Sequence, residues 1–138
     1  MTPFIHFNHQ GEEVTPDQTI LNWSQRIIEH LPFSVETITF IHCSDDELLE
    51  INKQYLYHDY YTDIITFDLR EDPDAPLEAD LFLSADRIRE NAQDNKVSYE
   101  DELKRVMIHG ILHLCGYGDK TAEQVAEMRE KENYYLSL

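Results

Sequence analysis

The chain has 138 residues, of which 41% are hydrophobic, and its 28 acidic and 11 basic residues give a formal net charge of −17. This length predicts one domain, residues 1–138, with a real core and no room for a second. No stretch approaches the roughly 20 apolar residues that cross a bilayer, and no export signal is recognisable, so we expect a cytoplasmic protein without a membrane partner. The acidic balance argues against general nucleic-acid affinity, which basic surfaces favour.

Capping patterns and hydrophobic periods predict the elements of the first half in chain order. Residues 4–7 suggest a short strand. Residues 15–18 form a capping box with Pro at the first helical position, which predicts the start of a helix. Residues 35–42 alternate with the period of a strand. A second capping box at residues 44–47 then predicts a helix to about Tyr55.

The second half supplies two more strands and three more helices. Residues 64–69 and 81–83 are the strand segments, separated by an acidic loop that contains proline. Serine or threonine caps predict helices over residues 84–94, 98–116 and 121–135. Strands mixed with helices at these spacings predict an α+β fold, in which one mixed four-stranded sheet is packed by about five helices.

The long penultimate helix carries the residues that indicate chemistry at its C-terminal end. His109 and His113 are four apart, which places both imidazoles on one face of a helix. Gly116 ends the helix, and the turn after it can bring Asp119 back to the same place. Two nitrogens and one oxygen leave a fourth tetrahedral position open, which is typical of a catalytic zinc site.

Two histidines at this spacing can also be ordinary core or surface residues, but their surroundings favour metal ligands. The helix is almost wholly apolar, so buried imidazoles there need polar partners or a metal. Gly110 costs about 1 kcal/mol relative to Ala inside a helix, which suggests a close approach to the backbone. A metalloprotease would need a glutamate general base at position 110, so a peptide or small-molecule hydrolase is the weakest alternative.

Residues 109–119 resemble the signature of the YbeY family of single-domain, metal-dependent endoribonucleases involved in rRNA maturation. The family pattern is H-G-x-L-H-L-x-G-Y-D-H, and seven of its nine defined positions agree with this chain. Gly118 and Asp119 depart from the pattern, because the family has Asp and a third metal-binding His there. Residues 51–55, 62–67 and 79–84 are similar to three other family segments, in the same order.

The resemblance implies a function, a cofactor and partners. We expect a metal-dependent endoribonuclease that acts in rRNA processing and small-subunit ribosome maturation by metal-assisted phosphodiester hydrolysis. One divalent metal ion, with zinc favoured, would be held by His109, His113 and Asp119. The partners would be rRNA and the small ribosomal subunit, and no DNA is expected. The alternative is a non-catalytic ribosome-assembly factor whose metal is mainly structural.

The candidate catalytic residues are His58 and Asp63. The family has an arginine thought to act on the RNA phosphate where this chain has Leu56, and His58 and Lys53 are the nearest replacements in sequence. His58 is otherwise an ordinary loop histidine. Asp63 precedes an apolar strand. Its carboxylate has three alternative roles: it takes part in catalysis, it orients an imidazole, or it only stabilises a turn.

Overall fold

A computed structural model describes residues 5–9, 12–14, 16–58 and 61–138 of the chain. These residues form five strands, which make one sheet, together with five helices. None of the described helices combines the length and the apolar composition that crossing a membrane requires. The elements are β1 (Ile5–His9), β2 (Glu12–Glu13), α1 (Gln18–His30), β3 (Val35–Cys43), α2 (Asp45–Leu56), β4 (Ile64–Asp68), β5 (Leu77–Ser84), α3 (Ala85–Asn95), α4 (Tyr99–Leu114) and α5 (Ala122–Leu136).

The sheet is mixed and has the strand order β2-β1-β3-β5-β4. Strands β1, β3 and β5 are parallel, whereas β4 runs antiparallel to β5 at one edge. The α+β prediction, with four strands and five helices, is therefore confirmed. The structure adds β2, a two-residue strand that pairs antiparallel with β1 and is too short and too acidic for its sequence to predict it.

Side-chain caps begin most of the helices where the sequence predicts them. The capping boxes of Ser44 and Thr121 are both present, and Ser84 and Ser98 cap α3 and α4. The predicted start of α1 is wrong: Asp17 is the N-cap, and its side chain accepts a hydrogen bond from the Thr19 backbone. The predicted cap at position 15, like position 4 of the first strand, lies outside the described residues.

The core lies where the two central strands meet the apolar face of α4. Phe40 of β3 and Leu81 of β5 are opposite one another in register and completely buried. Strand β5 begins at Leu77, earlier than predicted. The prediction missed its first residues because Glu78 and Asp80 alternate with buried residues and interrupt the apolar run that a central strand usually has. Hydrophobic burial of this kind is the main favourable contribution to folding.

Gly110 marks the closest approach of α4 to the sheet. A Cβ atom built on this glycine would lie 2.5 Å from Ile64 Cδ1, 2.8 Å from Leu81 Cδ2 and 3.2 Å from Thr66 Cγ2. Distances under 3 Å are overlaps, so a side chain at position 110 would have to displace the ends of the Ile64 and Leu81 side chains or move the helix away from the sheet. The glycine therefore sets how near the helix, and the histidines that flank Gly110, can come to the sheet.

We predict that Gly110→Val lowers the free energy of unfolding of the metal-free protein by about 2 kcal/mol, because the overpacking it causes exceeds the helix propensity it gains. Urea denaturation in the presence of a chelator measures this change. Ala126→Val is the matched control, because Ala126 is exposed on α5 and a valine there loses only helix propensity. Equal losses for both variants would contradict the close-packing explanation.

Candidate metal centre

The two histidine side chains of α4 converge at the end of the helix, as their spacing predicts. Their Nε2 atoms lie 2.9 Å apart, and their rings meet edge to face with centroids 4.5 Å apart. Both side chains are partly exposed, at 28% for His109 and 32% for His113. The face they share is thus open on one side to solvent or to a substrate.

The turn after α4 brings Asp119 to the same point. Gly116 adopts a left-handed conformation with φ of 102°, and the Tyr117 N–H donates back to the Leu112 carbonyl at 3.1 Å. Glycine adopts this conformation without strain, which explains why the helix ends here. The Asp119 Oδ2 atom then lies 3.3 Å from His113 Nε2 and 3.6 Å from His109 Nε2.

The size of this triangle fits one metal ion. Two ligands at usual zinc distances on a tetrahedral ion lie about 3.3 Å apart. The three observed edges of 2.9, 3.3 and 3.6 Å bracket that value. His109, His113 and Asp119 can therefore hold a metal ion together, and the fourth corner of the tetrahedron is not occupied by any of them.

The outward ring nitrogens are held by acceptors that leave Nε2 available for a metal. His113 Nδ1 lies 3.0 Å from the Tyr117 backbone oxygen, and His109 Nδ1 lies 2.6 Å from Glu132 Oε2. A carbonyl oxygen only accepts hydrogen bonds, so His113 carries its hydrogen on Nδ1 and directs the Nε2 lone pair toward Asp119. Acceptors behind the ligating histidines fix ring orientation in metal sites.

Glu132 of α5 is buried, and its second oxygen is held by Arg105. The Arg105 guanidinium donates to Glu132 Oε1 at 2.8 Å and to Asn133 Oδ1 at 3.1 Å. Burial raises the pKa of Glu132, but hydrogen bonds from His109 and Arg105 outweigh it and leave the pKa lowered. The hydrogen bond to Glu132 in turn raises the pKa of His109, so protons compete with a metal for this imidazole as the pH falls.

Sequence reasoning missed both Glu132 and Arg105. A signal for Glu132 exists, since Met128, Glu132 and Tyr135 form a buried stripe at helical spacing on α5. A glutamate within such a stripe needs a buried partner. That signal predicts a partner without naming it, because α4 and α5 are brought together only by the fold.

Asp63 lies in the same cavity as two of the ligands. This cavity has a volume of about 270 Å³ and is lined by Asp63, His109 and Asp119 among others. Burial raises the pKa of the Asp63 carboxyl, although the nearby His109 acts in the opposite direction. Its backbone oxygen also accepts a hydrogen bond from the Ser84 N–H at 3.0 Å, which joins the turn before β4 to β5.

His58 lies in a different cavity, of about 240 Å³, which Leu56 and Thr62 also line. It is exposed, and its backbone N–H donates to the Asn52 carbonyl at 3.1 Å. The structure does not bring His58 to the cavity of the metal ligands, and its catalytic role stays a prediction. Lys53, the other nearby cation, forms an exposed ion pair with Glu50.

The cysteines are free thiols, and Cys115 is not part of the ligand cluster. The Cys115 thiol donates to the Ile111 carbonyl at 3.0 Å. Burial raises the pKa of this thiol to about 12.

Comparison with known proteins agrees with this geometry. Residues 5–138 match the family model described as Endoribonuclease YbeY. The chain belongs to this family. An Endoribonuclease YbeY of Flavobacterium psychrophilum is 44% identical over 97% of the chain and 95% of the relative, and one of Cytophaga hutchinsonii is 46% identical over 86% and 82%. The solution structure of a Thermotoga maritima protein matches with a TM-score of 0.65 and 29% identity, covering 96% of this chain and 86% of that one.

We predict that Glu132→Gln weakens zinc binding about 10- to 100-fold, because the variant loses the charged acceptor behind His109. Competition titration with a chromophoric chelator measures the affinity. Glu130→Gln is the control, since Glu130 is exposed on the same helix and carries the same charge. If Glu132→Gln and Glu130→Gln bind zinc equally, Glu132 does not support the site.

Proposed function

We propose that this YbeY-family protein is a metal-dependent endoribonuclease that acts in rRNA processing and small-subunit ribosome maturation. The observation that carries the proposal is the triangle of His109, His113 and Asp119, sized for one ion and set in an open cavity. The activity for which the relatives are named, Endoribonuclease YbeY, supports RNA as the substrate. The cytoplasm, where rRNA is matured with the small subunit, is the compartment that this function requires.

Zinc is our proposal for the metal, because two imidazoles and one carboxylate with a free fourth position are typical of catalytic zinc. When bound, such an ion supplies Lewis acidity toward a phosphate oxygen and makes water more acidic. The protein orients the two imidazoles: Glu132 accepts from His109, and the Tyr117 carbonyl accepts from His113. Asp119 adds a negative charge that the family's third histidine lacks.

Asp63 is our candidate for proton transfer. It lies in the cavity of the metal ligands, and a carboxylate there is able to take a proton from the attacking water. Its partly buried position also suits a purely structural role at the start of β4, so its catalytic role needs a direct test. His58 remains a second candidate, at the cavity lined by Leu56.

His113→Ala tests the proposed function. We expect the parent to hold about one equivalent of zinc and to cleave single-stranded RNA, and the variant to lose both because one of its three ligands is gone. Elemental analysis and gel-resolved RNA cleavage measure the two properties, and circular dichroism reports whether the variant is folded. His30→Ala is the control, since His30 is exposed on α1 and its ring bonds only to the Arg26 carbonyl among the described residues. A folded variant that still cleaves RNA would refute the metal-dependent mechanism.

Asp63→Asn separates catalysis from metal binding. We predict that turnover falls about 100-fold, within the usual contribution of a general acid or base, while zinc content stays at the parent level. Single-turnover cleavage at saturating enzyme measures the rate. Asp80→Asn provides a comparison, because Asp80 is a partly buried aspartate of the neighbouring strand whose pKa burial also raises. Unchanged turnover in Asp63→Asn would assign the residue a structural role.

A ribosome-assembly factor with a mainly structural metal is the second candidate. The net charge of −17 and the aliphatic Leu56 at the family arginine position favour it, because both weaken contact with RNA phosphates. The His113→Ala variant distinguishes the two functions. Unfolding together with loss of ribosome association supports the assembly factor, whereas a folded protein that loses only cleavage supports the nuclease.

A further inference from the structure

Basic residues gather in a groove that begins at the metal centre. The cavity of about 270 Å³ that contains His109 and Asp119 is also lined by Arg105 and Arg129. A second cavity, of about 530 Å³, is lined by Lys104 together with the same two arginines. The two cavities share Glu102, Arg105 and Arg129 and are therefore adjacent, and we call the pair the α4–α5 groove. It holds 3 of the 11 basic residues of a very acidic chain.

Among the described residues, only one of these three cations is without an ionic partner. Arg105 is bound to buried Glu132 at 2.8 Å, and Lys104 pairs with Glu100 at 3.6 Å while lying over the Trp23 ring. Arg129 is exposed, and no carboxylate among residues 5–9, 12–14, 16–58 and 61–138 lies within ion-pair distance of its guanidinium. Its charge is therefore available to a ligand.

Five acidic residues line the groove, and three of them, Glu102, Asp119 and Glu132, already have partners or belong to the candidate ligand cluster; the other two are Asp63 and Asp101. Glu132 accepts from both Arg105 and His109, and Glu102 accepts from the Asn95 amide at 3.3 Å. Asp119 belongs to the ligand triangle, where an ion neutralises its charge. A bound divalent ion together with the three cations would balance the five carboxylates of the groove, so the unpaired guanidinium of Arg129 could bind an anion there despite the charge of the whole chain.

No such cation lines the cavity at Leu56 in the described part of the chain. The cavity at Leu56, where the family has its arginine, is lined among the described residues by side chains without a Lys or Arg. The lining residues there are Asn52, Leu56, His58, Thr62, Ile64, Ile65 and Thr66. Within the described part of the chain, no Lys or Arg therefore replaces the family arginine in the cavity at Leu56.

We infer that Arg129 binds a backbone phosphate of the RNA strand in the α4–α5 groove and supplies the positive charge that Leu56 does not. The inference rests on the proposed nuclease function, whose substrate it positions. A guanidinium binds phosphate through two parallel hydrogen bonds, and its planar donors suit a strand that runs along a groove. Arg129 is a substrate-binding residue in this scheme and takes no part in holding the metal.

Arg129→Gln tests the inference by its effect on binding as salt is varied. The zinc-loaded protein is titrated into a fluorescent single-stranded oligonucleotide of 2′-O-methyl nucleotides over a series of salt concentrations. Loss of one phosphate contact is expected to raise Kd about tenfold at low salt. It should also reduce the slope of log Kd against log salt by about 0.7, the value for one phosphate of a single strand. Zinc content should equal that of the parent.

Lys131→Gln is the matched control, because it removes the same charge from the same helix at a residue that lines neither cavity of the groove. Its salt slope is expected to equal that of the parent. A second variant restores the family charge: Leu56→Arg is added to Arg129→Gln. If Arg129 has replaced the family arginine, this double variant recovers the slope and at least part of the RNA cleavage.

The outcomes separate this inference from the proposed function. An Arg129→Gln variant whose slope and Kd match those of Lys131→Gln overturns the role of Arg129, even when the parent cleaves RNA. No measurable binding of the oligonucleotide by the parent overturns it as well. A parent that binds with an Arg129-dependent slope but never cleaves RNA supports the phosphate contact and overturns only the nuclease function.

Discussion

The close packing of α4 on the sheet is the constraint on which the metal centre depends. At Gly110 the helix comes so near to Ile64 and Leu81 that any larger side chain would have to displace theirs. His109 precedes this contact, so its imidazole lies beside the start of β4, where Asp63 shares its cavity. Helix α5 then packs on α4 and brings a carboxylate behind His109. A wider spacing between α4 and β4 would separate the ligands from Asp63.

Local signals predicted the boundaries of most helices, because a cap is an interaction between residues two or three apart. Ser44, Ser84, Ser98 and Thr121 all act as predicted. The predicted start of α1 was wrong because aspartate and threonine both cap helices well, and Asp17 is the cap instead of the threonine two residues earlier. The strand order could not be predicted, since pairing of parallel strands joins residues far apart in sequence.

In the candidate metal centre, too, the residues close together in sequence were predictable and those brought together by the fold were not. Its three ligands lie within eleven residues, on one helix and the turn after it, so their spacing alone predicted the cluster that the structure brings together. Glu132 and Arg129 come from another helix, and their place depends on how α4 and α5 pack. His58 lies between the family segments at residues 51–55 and 62–67, yet the fold puts it in a different cavity from His109 and Asp119. Nearness along the chain therefore predicted the cluster within α4 and the turn after it, but not the residues that other elements bring to it.

The supports of the three ligands are unequal. His109 is held from outside by a buried carboxylate of α5, whereas His113 rests on the Tyr117 carbonyl, within the same short turn that carries Asp119. Opening of that turn would release two of the three ligands at once and leave α5 undisturbed. Local openings of this size are far more frequent than global unfolding. An ion held by these three side chains would therefore exchange through the motion of a few residues after Gly116, while the rest of the protein stays folded.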